Sequence, residues 1–561
     1  MYDTILLEIY RWRKIMKQWV KNSVIYQIYP RSFQDSNNDG IGDIPGIISR
    51  LDYLQQLGVD MIWLSPIYDS PLVDNGYDIS NYYDLLPDYG TMDDFKTLVS
   101  ELHRRGMRLV MDLVINHTSN EHPWFIESAK SVDNPYRNFY HWQKGKGRKK
   151  PNNWMSLFGG SAWEYDEKTQ EYYLHIFAKE QPDLNWECKE LRAEIKKMLR
   201  FWLDLGVDGF RCDVINLLSK TPGYPNGKLH LIRGHEHFIN GPQIHKYLKD
   251  LKKEVFDQYD TFTVGEAIFL KPEDALSYIS FDNQELTMVF QFDHMSADNI
   301  FKWFFRPYKP RRLMNALTKW QDAINGKGWN TLYWENHDQP RVINRFGDTE
   351  NYRFQSATML AIVLYFQQGT PFIYQGQEIG MTNPGFTELS DYQDIETHRI
   401  YRLGRRLGLS HKRMMKKIMY MSRDNARTPM QWDDSENAGF SKGKPWIKVN
   451  SDYKTVNVKK SLADPKSIFY FYQKIIALRK QLTIIVEGTF KELLPKHKYI
   501  YCYLREYEGK KLLVVGNLSD KTLELPIPKD IDITKGKLIL QNYPEISPML
   551  QAYEARVYLF E

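Results

Sequence analysis

Three carboxylates, each placed after a short apolar run, could perform nucleophilic and acid–base chemistry. They are Asp213, Glu266 and Asp338. Runs of this length are typical of buried parallel strands, and a charge at the C-terminal end of such a strand projects into the mouth of a barrel, where active sites lie. Arg211 precedes Asp213 and His337 precedes Asp338, so two of the acids come with a positioning partner. The pattern favours cleavage of a sugar acetal over three unrelated loop acids paired with basic neighbours.

The elements around these acids predict a parallel barrel. Apolar residues at helical spacing run up to a glycine and are followed at once by an apolar run, and this pattern ends at Gly58, Gly106 and Gly206. Such βα units build a parallel sheet with helices outside it. The sequence therefore predicts an α/β fold, a (β/α)8 TIM barrel, with strands at residues 24–29, 61–64, 109–115, 209–212, 261–264, 286–290, 331–334 and 371–374.

Two stretches depart from this repeat and predict further domains. Residues 118–188, after strand 3, are rich in Trp, Tyr, Asn and Gly and too long for a loop, which indicates a small inserted domain B. Residues 487–561 carry short alternating runs typical of a C-terminal antiparallel β-domain. The catalytic barrel is accordingly assigned to residues 1–117 and 189–486.

Composition excludes several classes of protein. The chain has 561 residues, of which 42% are hydrophobic and 26% charged, with a net charge of +5, as in an ordinary soluble protein. The basic runs at 144–150 and 399–417 lack aromatic platforms, so no nucleic-acid partner is expected. No apolar stretch approaches the ~20 residues that a bilayer span needs, so no membrane partner is expected either. Three cysteines without a CxxC pair, and no signal peptide, predict a cytoplasmic protein without disulfides or a zinc site.

A glycosidase that retains configuration needs a nucleophile and an acid about 5 Å apart. Asp213 and Glu266 end successive predicted strands, which makes that separation reasonable. We expect the Asp213 carboxyl to stay ionised beside Arg211. Glu266 has apolar neighbours in sequence, and we expect a drier setting to raise its pKa, as a general acid requires.

At these residues the chain resembles the α-amylase superfamily, glycoside hydrolase family 13. The matching stretches are residues 112–117, 181–185, 209–214, 264–266 and 336–338. Within that family the chain is most similar to bacterial oligo-1,6-glucosidases, through residues 27–33, 74–79, 158–163 and 422–432. The resemblance implies that Asp213 is the nucleophile, Glu266 the acid/base, and Asp338 the third carboxylate, which binds sugar hydroxyls.

The resemblance also implies a closed glucose pocket. Asp78 and Arg423 would hold the non-reducing end, so that only terminal glucose units enter and the enzyme is exo-acting. The pyranose ring would lie against two aromatic faces, Tyr77 and Phe177. Its hydrogen-bonding groups would be His117, Gln181, Arg211 and His337.

Linkage preference depends on the residue after the nucleophile. Val214 is the residue type of relatives that prefer α-1,6 bonds, and a branched apolar side chain would narrow the leaving-sugar site. The family's Arg-Leu-Asp-Arg-Asp isomerase loop is missing from residues 304–313, so isomerisation is not expected. Trehalose-6-phosphate hydrolysis stays open, with Lys220 and Arg233 as candidate phosphate contacts, and so does a broad α-glucosidase or sucrase.

Two departures from the relatives bear on the same subsite. Glu335 stands where they have Asn and Gln377 where they have Glu, and both side chains are expected to border the leaving sugar. A catalytically inactive relative, such as a transporter heavy chain, is not favoured, because the chain has no membrane span and its carboxylates are intact. The expected partner is a small oligosaccharide, bound by a monomer or weak homo-oligomer.

A metal-binding loop is also predicted. Residues 35–43 place oxygen side chains at alternate positions around a glycine turn, as in calcium-binding loops. Together with the family's calcium in this loop, the spacing predicts Ca²⁺, or Mg²⁺ in the cytosol, with the ligands Asp35, Asn37, Asp39, Asp43 and the carbonyl of Ile41. Residues 1–15 have no counterpart in the family, which starts like Met16, and are predicted to be dispensable.

Overall fold

The computed structural model describes residues 16–145, 147, 149–527 and 531–561, so the N-terminal extension lies outside the described part. Each of the eight predicted strands is present, with bounds shifted by at most a few residues. Strand β5 extends further than predicted and ends on Glu266 itself. The strands are β1 Ile25–Ile28, β2 Met61–Leu64, β3 Arg108–Leu113, β4 Gly209–Cys212, β5 Phe262–Glu266, β6 Met288–Phe290, β7 Thr331–Tyr333 and β8 Thr370–Tyr374.

These strands form one sheet in the order β6-β5-β4-β3-β2-β1-β8-β7. The strands pair in parallel: Asp112 of β3 lies opposite Arg211 of β4, and Glu266 of β5 lies opposite Phe290 of β6. Strand β8 returns to β1, with Phe372 opposite Ile25. Sequential neighbours with the last strands beside the first are the connectivity of a (β/α)8 barrel, and the predicted fold class is confirmed.

Helices alternate with the strands as the glycine pattern predicted. The helix Leu51–Leu57 ends at Gly58, whose φ of 95° is a left-handed conformation that suits glycine. The helices of eight or more residues are Met92–Arg104, Lys189–Asp204, Ile244–Glu254, Pro272–Ile279, Pro310–Ile324, Arg353–Tyr365, Ile395–Arg406, His411–Met421 and Ile468–Gln481. Within residues 16–145, 147, 149–527 and 531–561, no helix combines the length and the hydropathy that a bilayer span requires.

Smaller antiparallel sheets lie in the stretches that depart from the βα repeat. The segment after β3 contains a sheet of Trp142–Gln143, Glu171–Leu174 and Trp163–Asp166. The C-terminal domain contains a five-stranded sheet, in the order Lys491–Glu492, Ile500–Tyr507, Lys510–Asn517, Ala555–Phe560 and Lys537–Gln541, and a two-stranded sheet of Leu523–Glu524 and Met549–Leu550. The exact bounds of the four predicted segments stay a prediction.

By contact density the chain divides into two compact units. Unit 1 comprises residues up to Ile62, Lys271–Asp282 and Gln291–Glu561. Unit 2 comprises Trp63–Leu270 and Asn283–Phe290. Asp213 and Glu266 belong to unit 2 and Asp338 to unit 1, so the candidate site residues are described unit by unit.

Candidate active site

A cluster of one arginine and three carboxylates lies at the C-terminal ends of β3, β4 and β5 in unit 2. We call Arg211, Asp112, Asp213 and Glu266 the Arg211 cluster. The Nη1 atom of Arg211 donates to Asp112 Oδ1 and, at 2.8 Å, to Asp213 Oδ1. Its Nη2 atom donates to Glu266 Oε2. Arg211 is 2% exposed, so these charges meet where water screens them little.

Burial raises the pKa values of two carboxyl groups in this cluster. It raises the pKa of Asp213 well above its usual value; Arg211 opposes this shift, while Glu266 and Asp112 add to it. Burial likewise raises the pKa of Asp112, to about 6, against the effect of Arg211. One guanidinium does not neutralise three carboxylates, which is why Arg211 does not cancel the rise at Asp213.

This arrangement corrects two electrostatic expectations. Arg211 was expected to support Asp213 and leave Glu266 in a drier setting, but its guanidinium contacts both carboxyl groups. The pKa of Asp213 is raised by burial, not held low by its neighbour. The reason is tertiary: the pairing of β3, β4 and β5 brings Asp112 and Glu266 to the same cation, which adjacency in sequence does not reveal.

Asp112, the first residue of the 112–117 motif, is a site residue that the sequence analysis did not identify. It accepts hydrogen bonds from Trp63 Nε1 at 3.0 Å and Tyr77 Oη at 3.1 Å, in addition to Arg211. The Tyr77 ring lies 5.6 Å from the Arg211 guanidinium, within cation–π range. A carboxylate inside an otherwise apolar strand was the signal that could have found this residue, because a buried charge requires a partner.

Four further predicted pocket residues lie in unit 2: His117, Gln181 and Asp78 are buried, and Phe177 is half-buried. The Nε2 atom of His117 lies 3.0 Å from Tyr77 O and 3.2 Å from Gln181 Nε2. The Phe177 ring lies 5.1 Å from the His117 ring. Burial lowers the pKa of His117 to about 4, so its imidazole is neutral at pH 7. The Asp78 carboxylate accepts from the backbone N–H groups of residues 73 and 74, and burial raises its pKa to about 6.

A second charged cluster, in unit 1, surrounds Asp338. Its Oδ1 atom accepts from Arg427 Nη2 at 2.7 Å and Arg423 Nη1 at 3.3 Å, and His337 Nε2 lies 3.3 Å from Oδ2. Burial alone would raise the pKa of Asp338, but His337, Arg423 and Arg427 outweigh it and hold the pKa well below its usual range. Asp394, which the sequence did not single out, accepts from Arg423 Nε at 3.0 Å. Asp338 is therefore an ionised acceptor.

Comparisons with known proteins agree with this geometry. Residues 27–488 match the family model described as "Alpha amylase, catalytic domain". The chain belongs to the α-amylase family. It is 53% identical to the oligo-1,6-glucosidase of Parageobacillus thermoglucosidasius, over 96% of this chain and 98% of that protein. It is 46% identical to the trehalose-6-phosphate hydrolase of Bacillus subtilis (strain 168), over 96% and 98% of the two chains.

Solved structures carry the α-amylase family fold over nearly the whole chain. A variant of the Bacillus licheniformis trehalose-6-phosphate hydrolase superposes with a TM-score of 0.94 at 44% identity, covering 97% of this chain and 100% of that one. The chain is thus a glycoside hydrolase of family 13, as its motifs predicted.

Three residues of this α-amylase family member were expected beside the leaving sugar. Val214 has a φ of 34° and is 5% exposed, packed in an apolar cluster with Trp154 and Phe238. Gln377 donates to Tyr365 Oη at 2.8 Å and to Tyr472 Oη at 2.9 Å. The side chains of Gln377 and Glu335 are therefore bonded to other groups of the protein interior, contrary to the prediction that both border the leaving sugar.

Glu335 is held within unit 1. Its Oε2 atom accepts from Arg341 Nη1 at 3.0 Å, and its Oε1 atom accepts from the N–H of Val342 at 2.8 Å. A buried carboxylate with a guanidinium and a backbone donor has its stabilising partners inside the protein.

Lys220, a candidate phosphate contact, is also buried. Its ammonium lies 2.7 Å from Asp183 Oδ2, and it donates to Asn116 Oδ1 at 2.9 Å and to Leu217 O at 2.7 Å. All three protons of the ammonium thus have protein acceptors. Arg233, the other candidate, is exposed.

The predicted calcium loop has an all-oxygen donor set, which suits a hard cation. Its side chains also brace the loop: Asp35 accepts from the N–H groups of residues 37, 38 and 40, and Asp39 from that of Ile41. Asp43 caps the helix Ile44–Ser49 through Gly46 N. Among the residues placed here, no group of three or more His, Cys, Asp or Glu side chains is arranged as a metal site, so a cation would need the Asn37 side chain and the Ile41 carbonyl as ligands.

Proposed function

We propose that this enzyme is an exo-acting, retaining α-glucosidase that removes terminal α-1,6-linked glucose from isomaltose and short isomalto-oligosaccharides. The observation that carries the proposal is that Asp213 and Glu266 both accept hydrogen bonds from one guanidinium, that of Arg211. Inverting glycosidases separate their two carboxyl groups by about 6.5–9.5 Å to admit a water, whereas retaining ones hold them about 5–5.5 Å apart. Two carboxyl groups on the two terminal nitrogens of one guanidinium support the shorter, retaining separation.

In the proposed mechanism Asp213 is the nucleophile and Glu266 is the general acid and then the general base. An Asp213 oxygen attacks the anomeric carbon while Glu266 gives its proton to the glycosidic oxygen, which leaves with the second sugar. The resulting glucosyl ester is then hydrolysed by a water that Glu266 deprotonates. Arg211 offsets the negative charge of both carboxyl groups throughout. Asp338, ionised between Arg423 and Arg427, is proposed to accept hydrogen bonds from sugar hydroxyls.

The α-1,6 preference is supported by the relatives. The chain is 53% identical to the oligo-1,6-glucosidase of P. thermoglucosidasius and 46% identical to the trehalose-6-phosphate hydrolase of B. subtilis. Phosphosugar hydrolysis is the second candidate, because solved hydrolases of that class superpose closely. The burial of Lys220 in protein contacts removes one of the two basic groups suggested for the phosphate.

Initial rates on five substrates test the proposal. The purified enzyme is given isomaltose, panose, maltose, sucrose and trehalose 6-phosphate, and kcat/KM is measured for each. Isomaltose and panose are expected to give the highest values. Higher kcat/KM for trehalose 6-phosphate would instead assign the second candidate function, and the configuration of the released glucose, read by NMR, checks retention independently.

We further propose that the 35–43 loop binds Ca²⁺ or Mg²⁺, and that the enzyme works in the cytoplasm as a monomer or weak homo-oligomer. The oxygen donors of the loop support the first proposal. Three buried free cysteines, Cys188, Cys212 and Cys502, support a reducing compartment. Sedimentation velocity at micromolar concentration checks the oligomeric state, and a stable tetramer would contradict it.

A further inference from the structure

An exposed aromatic residue with a strained backbone lies three residues after the proposed acid/base. Phe269 has a φ of 54°, in the left-handed region, and 57% of its surface is exposed. A bulky side chain at positive φ costs conformational energy that glycine would avoid. Strain of this kind persists where the surrounding structure enforces it, and it concentrates at functional sites.

Packing does not compensate the strain at Phe269 as it does at Val214 and Tyr224, two other apolar or aromatic residues of unit 2 with positive φ. Val214 and Tyr224 also have positive φ, but both are packed into the apolar cluster around Trp154. The Phe269 ring instead faces solvent over more than half its surface. Burial of the ring in the folded protein therefore does not account for an aromatic residue at this position.

The backbone before Phe269 is hydrogen-bonded to Asn216, a residue of the turn that follows Asp213. Asn216 Nδ2 donates to Ile268 O at 2.9 Å, and Ile268 N donates to Asn216 Oδ1 at 3.2 Å. Asn216 is itself held by Asn240, to which it donates at 3.0 Å. This two-bond clamp joins the turn after Asp213 to the turn after Glu266. It holds the strained turn rigidly, which a ligand platform requires.

The position of Phe269 suits the leaving sugar. Glu266 is the last residue of β5, at the catalytic end of the strand. Three residues of chain span about 10 Å at most, so Phe269 lies within that distance of Glu266 from Cα to Cα. The glycosidic oxygen that takes the proton of Glu266 belongs to the leaving sugar. That sugar therefore lies beside Glu266, within reach of a phenyl ring on the next turn.

We propose that Phe269 is a sugar-binding platform for the leaving group, whose ring stacks on the C–H face of the second pyranose. This inference rests on the proposed glucosidase function and adds the subsite for the leaving sugar. Sugars present one apolar face, and a flat, rigid aromatic ring binds such a face at low entropic cost. Retained strain and an unburied ring are both accounted for by a ligand that covers the ring.

The test separates binding of the leaving sugar from catalysis and from folding. Phe269→Gly removes the ring and relieves the strain, so its Tm is expected to equal or exceed that of the wild type. Its kcat/KM for isomaltose, with maltose as a second disaccharide, should fall about two- to tenfold. For α-glucosyl fluoride, whose leaving group is a single atom, kcat/KM should not change. Phe269→Trp should keep the wild-type value for the disaccharides.

Gln170→Gly is the matched control, because Gln170 is exposed and has a similar φ of 57° in a turn of unit 2. It should leave both substrates unaffected. Equal losses of Phe269→Gly on disaccharide and fluoride, or no loss on either, would overturn the inference while the glucosidase proposal stands. A wild-type enzyme that cleaves neither the disaccharides nor the fluoride would overturn the proposed function itself.

Discussion

Removal of the buried ammonium of Lys220 should destabilise unit 2 strongly. Lys220 is 5% exposed and donates to three oxygens, those of Asp183, Asn116 and Leu217. Hydrogen bonds from a charged donor contribute about 1.5–3 kcal/mol each, so the three together are worth about 5–9 kcal/mol. Part of that gain offsets the burial of the ammonium, which costs several kcal/mol.

In Lys220→Met the ammonium's own desolvation cost disappears, but Asp183 stays buried without its cation. We expect a net loss of about 3–5 kcal/mol in the free energy of unfolding, the range for one broken partner of a buried pair. The double variant with Asp183→Asn removes both charges, and the amide can still accept from Ile176 N, which now donates to Asp183 Oδ1 at 2.9 Å. It should regain a large part of the loss.

Urea unfolding followed by circular dichroism measures both variants. Lys96→Met is the control, since Lys96 is 56% exposed in its side chain and lies 2.9 Å from Asp93, whose side chain is 90% exposed. Such a pair is worth at most about 1 kcal/mol. The reasoning is refuted if Lys220→Met unfolds within 1 kcal/mol of wild type, taking ~1 kcal/mol as the ordinary effect of a mutation. It is also refuted if the double variant is as unstable as the single one.

Four further outcomes are expected. Asp213→Asn should lower kcat by several orders of magnitude without lowering Tm, since it removes a carboxylate from a cluster with excess negative charge; a tenth of wild-type activity would contradict the nucleophile assignment. Val214→Thr should shift the kcat/KM ratio of isomaltose to maltose toward maltose by about ten- to two-hundredfold at most, and a wild type that prefers maltose would end the isomaltase interpretation. Burial lowers the pKa of His117 to about 4 and of His141 to about 3. The unfolded chain therefore binds protons at these histidines at a higher pH than the folded protein does, so the free energy of unfolding should be full above pH ~6.5 and fall from there toward pH ~4. His141→Gln should flatten that fall when urea unfolding is measured at each pH. Added Ca²⁺ should raise Tm, and Asp39→Ala should abolish the rise; equal Tm values with Ca²⁺ and with EDTA would exclude the loop as a site.

Local pattern predicted the strands and their catalytic ends well. Apolar runs, glycine stops and a polar residue at a strand end are all read within a few residues, and these decided the positions of β4, β5 and the acids they carry. The contacts that side chains make with neighbouring strands and distant loops could not be predicted from local pattern. Arg211 serves three carboxylates because of strand pairing, and Asp394 reaches Arg423 from a loop 29 residues away in sequence. Neither relation has a local signal.

Side-chain direction explains the remaining error. Gln377 and Glu335 follow predicted strands, which suggested a place at the barrel mouth, yet both point into protein contacts. A turn of one residue after a strand reverses the face to which a side chain points. Sequence alone does not set that turn.

Strand β1 is synthesised long before β8, the strand with which it pairs. Ile25 pairs with Phe372, 347 residues later. At about 5–20 residues per second, the ribosome needs roughly 20–70 s to make the intervening chain. During that time one edge of an apolar strand lacks its native neighbour, and exposed edges of this kind invite pairing with other chains. Strands β3 to β6 all lie between residues 108 and 290 and complete their mutual pairing sooner. Slower synthesis or higher expression should therefore affect the yield of folded enzyme through β1 before any other strand.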